Sequence, residues 1–362
     1  MLRQYLLLIR LPNLFTVPSN ILTGYFTVIP SADNANILQL LCLIFSSVLL
    51  YVTGIILNDY FDIEVDRKER PFRPLPSGRI AKHKALLIAI ISIIAANLLA
   101  FVVNWTSLVI SASITLVIIA YDYRLKHNIV TNPIAMGSAR FLNIILGASP
   151  VLGGLLVTEH YSLLTILLFI ALSLFLYVAA ISIISRKEVL TTILASSSAL
   201  ASYRMSTIIS FSIIFIIIVS IFVAGLLGFF HMSFIFNLAL FAIIMTITFR
   251  HLMIRKVVTK GQGGESAINR KYPDIVSAAN NRNHNTTDNN NSNNNIDSIN
   301  NYQNNKNNYS VLNIESSIKT MILSIIILDS VFISGIAGIY YGMATLLLIV
   351  PPILLARKLY VT

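Results

Sequence analysis

Apolar runs long enough to cross a bilayer as helices recur almost from end to end of the chain, and none alternates with the two-residue period of a membrane barrel. The pattern predicts spans at 13 to 30, 37 to 58, 84 to 103, 106 to 121, 134 to 157, 162 to 184, 207 to 229, 233 to 253, 318 to 338 and 342 to 356. The last two are short and separated only around Tyr340-Tyr341-Gly342, so the count is nine if they form one broken or tilted helix and ten otherwise. The expected fold class is an all-α integral membrane protein.

Composition agrees with the pattern. The 362 residues are 56% hydrophobic and 11% charged, with a mean hydropathy of +0.78, which excludes an ordinary soluble domain. The lone cysteine, Cys42, sits in an apolar run and excludes an intramolecular disulfide framework. The first segment follows Arg3 and Arg10 as a signal peptide would, but it contains Pro18 and Asn20 and lacks a small-residue cleavage site, so it reads as a retained helix.

A net charge of +11 would suit a nucleic-acid partner, but its distribution argues against one. Arg3 and Arg10, the 59 to 83 loop, Arg124 and Lys126, Arg186, Lys187 and Arg204, and the 254 to 317 loop all fall on one side, while the opposite connections hold no Lys or Arg. That asymmetry predicts a cytoplasmic N-terminus and cytoplasmic basic loops, most simply in the cell membrane.

Residues 280 to 308 contain sixteen asparagines in twenty-nine positions, a composition that cannot offset its ordering entropy by burial. The expected organisation is therefore a transmembrane bundle over 1–260, a disordered cytoplasmic insertion over 261–316, and C-terminal helices over 317–362 completing the bundle. Sequons at Asn285 and Asn308 arise from this bias and lie on the cytoplasmic side, which argues against glycosylation.

The candidate chemistry gathers where the second span ends. Residues 59 to 69 hold five of the fifteen acidic side chains. If the helix continues from Asn58 to Asp66, then Asn58, Asp62 and Asp66 stand at i, i+4 and i+8, each step overshooting a full turn by about 40°, so three oxygen ligands share one face. Such a face at a helix C-terminus is costly without a cation, and all-oxygen ligation with few carboxylates suits Mg²⁺ holding a phosphate-bearing substrate. The alternative is a solvated acidic loop interleaved with basic residues.

The next stretch, Arg70-Pro71-Phe72-Arg73-Pro74-Leu75-Pro76-Ser77-Gly78-Arg79, cannot stay helical and forms a stiffened loop over the same face. Its arginines, with Lys68, Lys82 and Lys84, offer phosphate contacts, against which stands simple positive-inside retention. Arg140 and Asn143 lie inside the fifth span. Arg140 either snorkels to the interface or points into a bundle cavity as a phosphate partner. Asp329, in an apolar span, either serves the site or pairs with a polar group of a neighbouring helix.

The pattern Asn58-Asp59-x-x-Asp62-x-x-x-Asp66-Arg67, followed by Arg70-Pro71, Arg73-Pro74 and Pro76-Ser77-Gly78, resembles the UbiA superfamily of intramembrane prenyltransferases. Arg10-Leu11-Pro12-Asn13-Leu14-Phe15-Thr16 and the loop from Tyr121 to Lys126 are similar to that family too. The resemblance implies a helical bundle with a central cavity open to the cytoplasmic side, in which Mg²⁺ holds a prenyl diphosphate. It implies Asn58, Asp62 and Asp66 as metal ligands and Arg67 and Lys126 as diphosphate contacts, to which the residue-level reading adds Arg73 and Arg140. Asp62, Asp66, Lys126 and Arg140 are the expected catalytic set.

The family's second aspartate motif is replaced here by Ser185-Arg186-Lys187-Glu188. Glu188 can supply one carboxylate, or Arg186 and Lys187 can neutralise diphosphate instead of a second metal. With Met136-Gly137-Ser138-Ala139-Arg140-Phe141-Leu142-Asn143, this resembles the divergent EboC-like subgroup. The expected function is transfer of an isoprenoid from a prenyl diphosphate to an aromatic, quinone-precursor or lipid acceptor, with membrane lipid as the surroundings. The alternative is a non-catalytic UbiA-like protein that binds or transports a prenylated metabolite. Oligomeric state has no signature in the sequence.

Overall fold

The computed structural model describes residues 2–157, 161–193, 197–253 and 316–360. These residues form helices and short turns with no strand among them. In order they are α1 (Leu2–Leu8), α2 (Leu11–Leu14), α3 (Thr16–Val28), α4 (Ile37–Phe61), α5 (Ile63–Glu69), α6 (Lys82–Val103), α7 (Trp105–Tyr123), α8 (Thr131–Val157), α9 (Tyr161–Ile193), α10 (Ser197–Leu226), α11 (Phe234–Met253), α12 (Ser316–Ile336), α13 (Ile339–Leu346) and α14 (Val350–Tyr360). The Asn-rich segment lies outside the described residues.

Eight described helices, α4 and α6 to α12, are long and apolar enough to cross a membrane, and the chain is an integral membrane protein. The outer two of the ten expected stretches are shorter helices. At the N-terminal end the run 13 to 30 divides into α2 and α3, and α3 buries a polar stripe of Thr16, Ser19, Asn20, Thr23 and Thr27 against the bundle. Large apolar side chains stay exposed along α6 (Leu87, Ile90, Ile91, Ile94, Leu98) and α10 (Phe215, Ile216, Phe222), the expected face toward lipid.

The starts of α4 and α7 are capped by asparagine. Asn36 accepts a bond from the backbone N–H of Gln39 at 3.2 Å and starts α4. Asn104 accepts from the N–H of Ser107 at 2.7 Å and donates to the Ser149 carbonyl at 3.1 Å, so one side chain caps α7 and ties it to α8. α3 lies against α8, α4 against α6, and α8 against α9. At the α3–α8 crossing the backbones nearly touch, because a β-carbon on Gly24 would strike the Ile144 carbonyl and one on Gly147 the Ile21 carbonyl.

The proline-rich loop folds back on itself rather than running free. The N–H of Ser77 donates to the Arg73 carbonyl at 3.0 Å, that of Gly78 to Leu75 at 3.0 Å, and that of Ile80 to Pro74 at 3.1 Å. Gly78 takes φ +73°, a left-handed turn position that suits glycine. Leu75 and Ile80 thereby sink into a small apolar cluster with Leu8, Ile56, Leu57 and Ile63. This anchoring holds Arg73 over the end of α4.

Candidate functional site

α4 ends at Phe61, and Asp62 (φ −90°, ψ 7°) leaves helical geometry before α5 begins. The hydrogen-bond register nevertheless continues: the N–H of Asp62 reaches the Asn58 carbonyl at 3.0 Å and that of Asp66 reaches the Asp62 carbonyl at 2.8 Å. Asn58 and Asp62 accordingly share a face, as the i, i+4 spacing predicts. A cation lies against that face: the Lys126 ammonium is 2.7 Å from Asp62 Oδ1 and 3.4 Å from Asn58 Oδ1.

Lys126 is held there by its own connection. A 3-10 turn at Leu125–His127 follows α7; Thr131 Oγ1 donates to the Leu125 carbonyl at 2.7 Å and Asn132 Nδ2 to the Lys126 carbonyl at 3.0 Å. Ser182 Oγ of α9 in turn donates to Asn132 Oδ1 at 2.5 Å. The lysine side chain is only 8% exposed, so its charge faces the site in a partly desolvated setting where an ion pair is stronger than in water.

Asp66 turns elsewhere. Its carboxylate meets Arg73 Nη1 at 2.6 Å, and the same guanidinium lies 3.4 Å from Asp59, which also accepts from Arg10 Nη2 at 2.8 Å. The buried pair Asp59 and Asp66 is thus neutralised by one arginine from the N-terminal segment and one from the folded-back loop. Arg67 joins neither group: it pairs with Glu64 at 2.9 Å on the exposed side of α5. The side chain of Glu188, like those of Arg186 and Lys187, lies outside the described residues.

Of these groups Arg10 and Asn58 line a cavity of about 380 Å³, a size that suits a small-molecule site, and their contacts to Asp59, Asp62 and Lys126 mark its mouth. Asn58, Arg10, Tyr121 and Asp122 contribute polar wall; Ile55, Ile114, Ile118, Val178 and Ile181 supply aliphatic wall; α12 contributes Ile318, Ile322 and Ile325. Arg140 also lines this space, which rules out snorkelling to the interface. Its guanidinium donates to the Thr16 carbonyl at 3.2 Å, to Thr16 Oγ1 at 3.0 Å and to Asn20 Oδ1 at 2.9 Å. Asn20 Nδ2 then donates to Asp329 Oδ2 at 2.7 Å, so Asp329 has the neighbouring-helix partner weighed for it. Asn143 is bonded to Ser47 and, at 3.3 Å, to the Val17 carbonyl.

The sequence singles out neither Arg10 nor Asp59, Asn20 or Asp122 as a site residue. Asp122 had a readable signal, an acid in the last turn of an apolar helix where the helix dipole disfavours it. Arg10 and Asp59 stand in the motifs that carry the family resemblance and Asp329 in an apolar span, but nothing in the sequence paired Arg10 with Asp59 or Asn20 with Asp329.

The donor chemistry fits Mg²⁺. Oxygens of Asn58 and Asp62 converge on a position that a lysine ammonium takes, and the carboxylate of Asp122, buried in the same wall, receives no hydrogen bond from any described residue. Among the described residues no three His, Cys, Asp or Glu side chains draw together into a metal cluster, so the protein offers a partial oxygen shell. That is the arrangement of Mg²⁺ sites completed by substrate phosphate and water.

The chain matches the UbiA prenyltransferase family over residues 19–261, and it belongs to that family. It is 41% identical over 112 residues to a digeranylgeranylglyceryl phosphate synthase of Methanothrix thermoacetophila, covering 30% of this chain and 42% of the relative. With the corresponding synthase of Methanothermobacter thermautotrophicus it is 31% identical over 144 residues, covering 39% of this chain and 49% of the relative. The chain therefore spans less than half the length of these curated relatives. Its fold is similar to a UbiA homologue from Archaeoglobus fulgidus solved with GPP and Mg²⁺, at TM-score 0.51 and 16% identity, over 95% of this chain and 99% of the other.

Proposed function

We propose that this chain is an intramembrane prenyltransferase that moves an isoprenoid from a prenyl diphosphate to a hydrophobic acceptor with Mg²⁺. The observation that carries the reading is the Lys126 ammonium set between Asp62 and Asn58 at the mouth of an apolar cavity. A diphosphate head belongs at that mouth, and the isoprenoid tail along the aliphatic wall. The names of the curated relatives favour the lipid among the acceptor classes.

Asn58 and Asp62 would hold the metal, and Asp66 would be a third oxygen ligand only where its carboxylate is not taken by Arg73. The cation supplies charge neutralisation at the leaving diphosphate. Lys126 and Arg73 present further positive charge to the same oxygens, preorganised by the Asn132 bond and the folded-back loop. The aliphatic wall excludes water from the allylic carbon, which leaves the acceptor as the available nucleophile. Arg140 orders the cavity floor through Thr16 and Asn20, Arg67 stays with Glu64 outside the diphosphate contacts, and Glu188 is the candidate carboxylate for a second metal. Helices of 1–260 and 317–362 act as one bundle, a view supported by the place of α12 in the cavity wall. The basic mouth faces the cytoplasm of the cell, in keeping with the Lys and Arg asymmetry of the connections.

Purified protein incubated with labelled prenyl diphosphates of several lengths, Mg²⁺ and a lipid extract should release diphosphate and label a lipid. Saturable binding of the donors with no release from any of them would refute transfer and favour a binding or transport role.

A further inference from the structure

The acidic groups around the mouth are not equivalent. Asp59, Asp62 and Asp66 each meet an arginine or lysine within 3.4 Å or less. Asp122 does not: its side chain is 1% exposed, and neither carboxylate oxygen accepts a hydrogen bond from a described residue. It stands in the last turn of α7, where the helix dipole adds to the cost of a buried anion. An ionised carboxylate in this state destabilises the protein unless it takes up a proton or a cation binds it.

Its surroundings favour the cation. Asp122 shares the cavity wall with Asn58 and Tyr121, and it precedes Lys126, in the α7–α8 connection, by four positions. Lys126 is the same ammonium that Asn58 and Asp62 contact, so the buried Asp122 carboxylate shares its cavity wall with one of the two oxygens on that cationic position. Asp66, the remaining acid of the i, i+4, i+8 face, is occupied by Arg73 at 2.6 Å.

We propose that Asp122 is a ligand of the divalent cation, completing with Asn58 and Asp62 an all-oxygen set drawn from α4 and α7. This deepens the prenyltransferase reading and rests on its metal. It gives the chain a carboxylate from a second helix at the mouth, in a sequence whose Ser185 to Glu188 stretch has a single acid. Two carboxylates and one amide leave room for phosphate oxygens and water, as Mg²⁺ requires.

The test reads metal binding without substrate. Mn²⁺ bound to the detergent-solubilised full chain is titrated by electron paramagnetic resonance, with Mg²⁺ as competitor, and melting temperature is followed with and without metal. Asp122→Asn should weaken Mn²⁺ binding on the order of tenfold or more. It should also raise the melting temperature of the metal-free protein, because a buried uncompensated charge has gone, and remove most of the stabilisation by metal. Glu64→Gln, which deletes an exposed charge nearby, controls for net charge and should leave Mn²⁺ affinity unchanged.

Mn²⁺ affinity within about twofold of the parent in Asp122→Asn would overturn the ligand role while leaving the prenyltransferase reading intact. A variant whose metal-free form melts lower and whose affinity is unchanged would likewise assign Asp122 to packing. Failure of the parent chain to bind Mn²⁺ or Mg²⁺ at all would overturn this ligand role and the metal of the prenyltransferase reading together.

Discussion

Two of the polar groups among the described residues of this apolar bundle are built to different ends. In the floor network, Arg140, Asn20, Thr16 and Asp329 link α8, α3 and α12, and the positive and negative ends are joined through Asn20. At the mouth, Asn58 and Asp62 share a single ammonium, and Asp122, in the cavity wall with Asn58, has no described donor. Both use the same side-chain types. The floor joins its charges through hydrogen bonds, with one oxygen of Asp329 left over, and ties three helices together, whereas Asp122 at the mouth has neither oxygen bonded by a described residue and is placed for something that arrives. Buried ions that complete one another act as scaffold, and buried ions that do not are placed for a ligand.

Breaking the floor should cost the most. Asp329→Ala leaves the Arg140 charge without its relay and should destabilise the protein by about 3–5 kcal/mol, seen as a large drop in melting temperature in detergent. Equal melting of variant and parent would show that the network is not a scaffold. Gly24→Val drives a side chain into the Ile144 carbonyl at the α3–α8 crossing and should cost about 1–3 kcal/mol, with loss of prenyl diphosphate binding as Asn20 and Arg140 part.

At the mouth the expected effects move from stability to binding. Arg73→Gln frees Asp59 and Asp66 from their shared guanidinium, and should weaken donor binding on the order of tenfold, about 1.4 kcal/mol, with a smaller loss of stability. Isothermal titration with a prenyl diphosphate separates the two, and an unchanged dissociation constant would place Arg73 with the scaffold. The smallest effect belongs to Arg67→Ala. Its pair with Glu64 is exposed on both sides, so stability should move by less than about 1 kcal/mol and donor affinity should hold. A tenfold loss of affinity would restore Arg67 to the diphosphate contacts that the family resemblance implies.

The sequence displayed the spanning helices because each buries or lends to lipid an uninterrupted apolar length. It also displayed Asn58 and Asp62 as one face, because i, i+4 geometry is local, whereas the place of Lys126 against that face depends on the turn after α7. Asp66 departed from that face for a tertiary reason: Leu75 and Ile80 anchor the proline loop and bring Arg73 down onto it. Arg10 and Asp59 are separated by 49 positions and Asn20 and Asp329 by 309, and such pairs follow from helix packing rather than from any local pattern. The short α3 has a similar origin, since its polar stripe is buried against α8 and not offered to lipid. Arg140 and Asp329 were legible as costly residues, but which partner offset each depended on that same packing.

The central claim is that the Lys126 position at the cavity mouth receives the diphosphate of a prenyl donor. Diphosphate release from a labelled prenyl diphosphate, compared between the parent chain and Lys126→Met with and without Mg²⁺, tests it most directly. The account predicts Mg²⁺-dependent release by the parent and a loss on the order of 100-fold in the variant, with its fold retained by circular dichroism. Release by Lys126→Met at the parent's rate would contradict it.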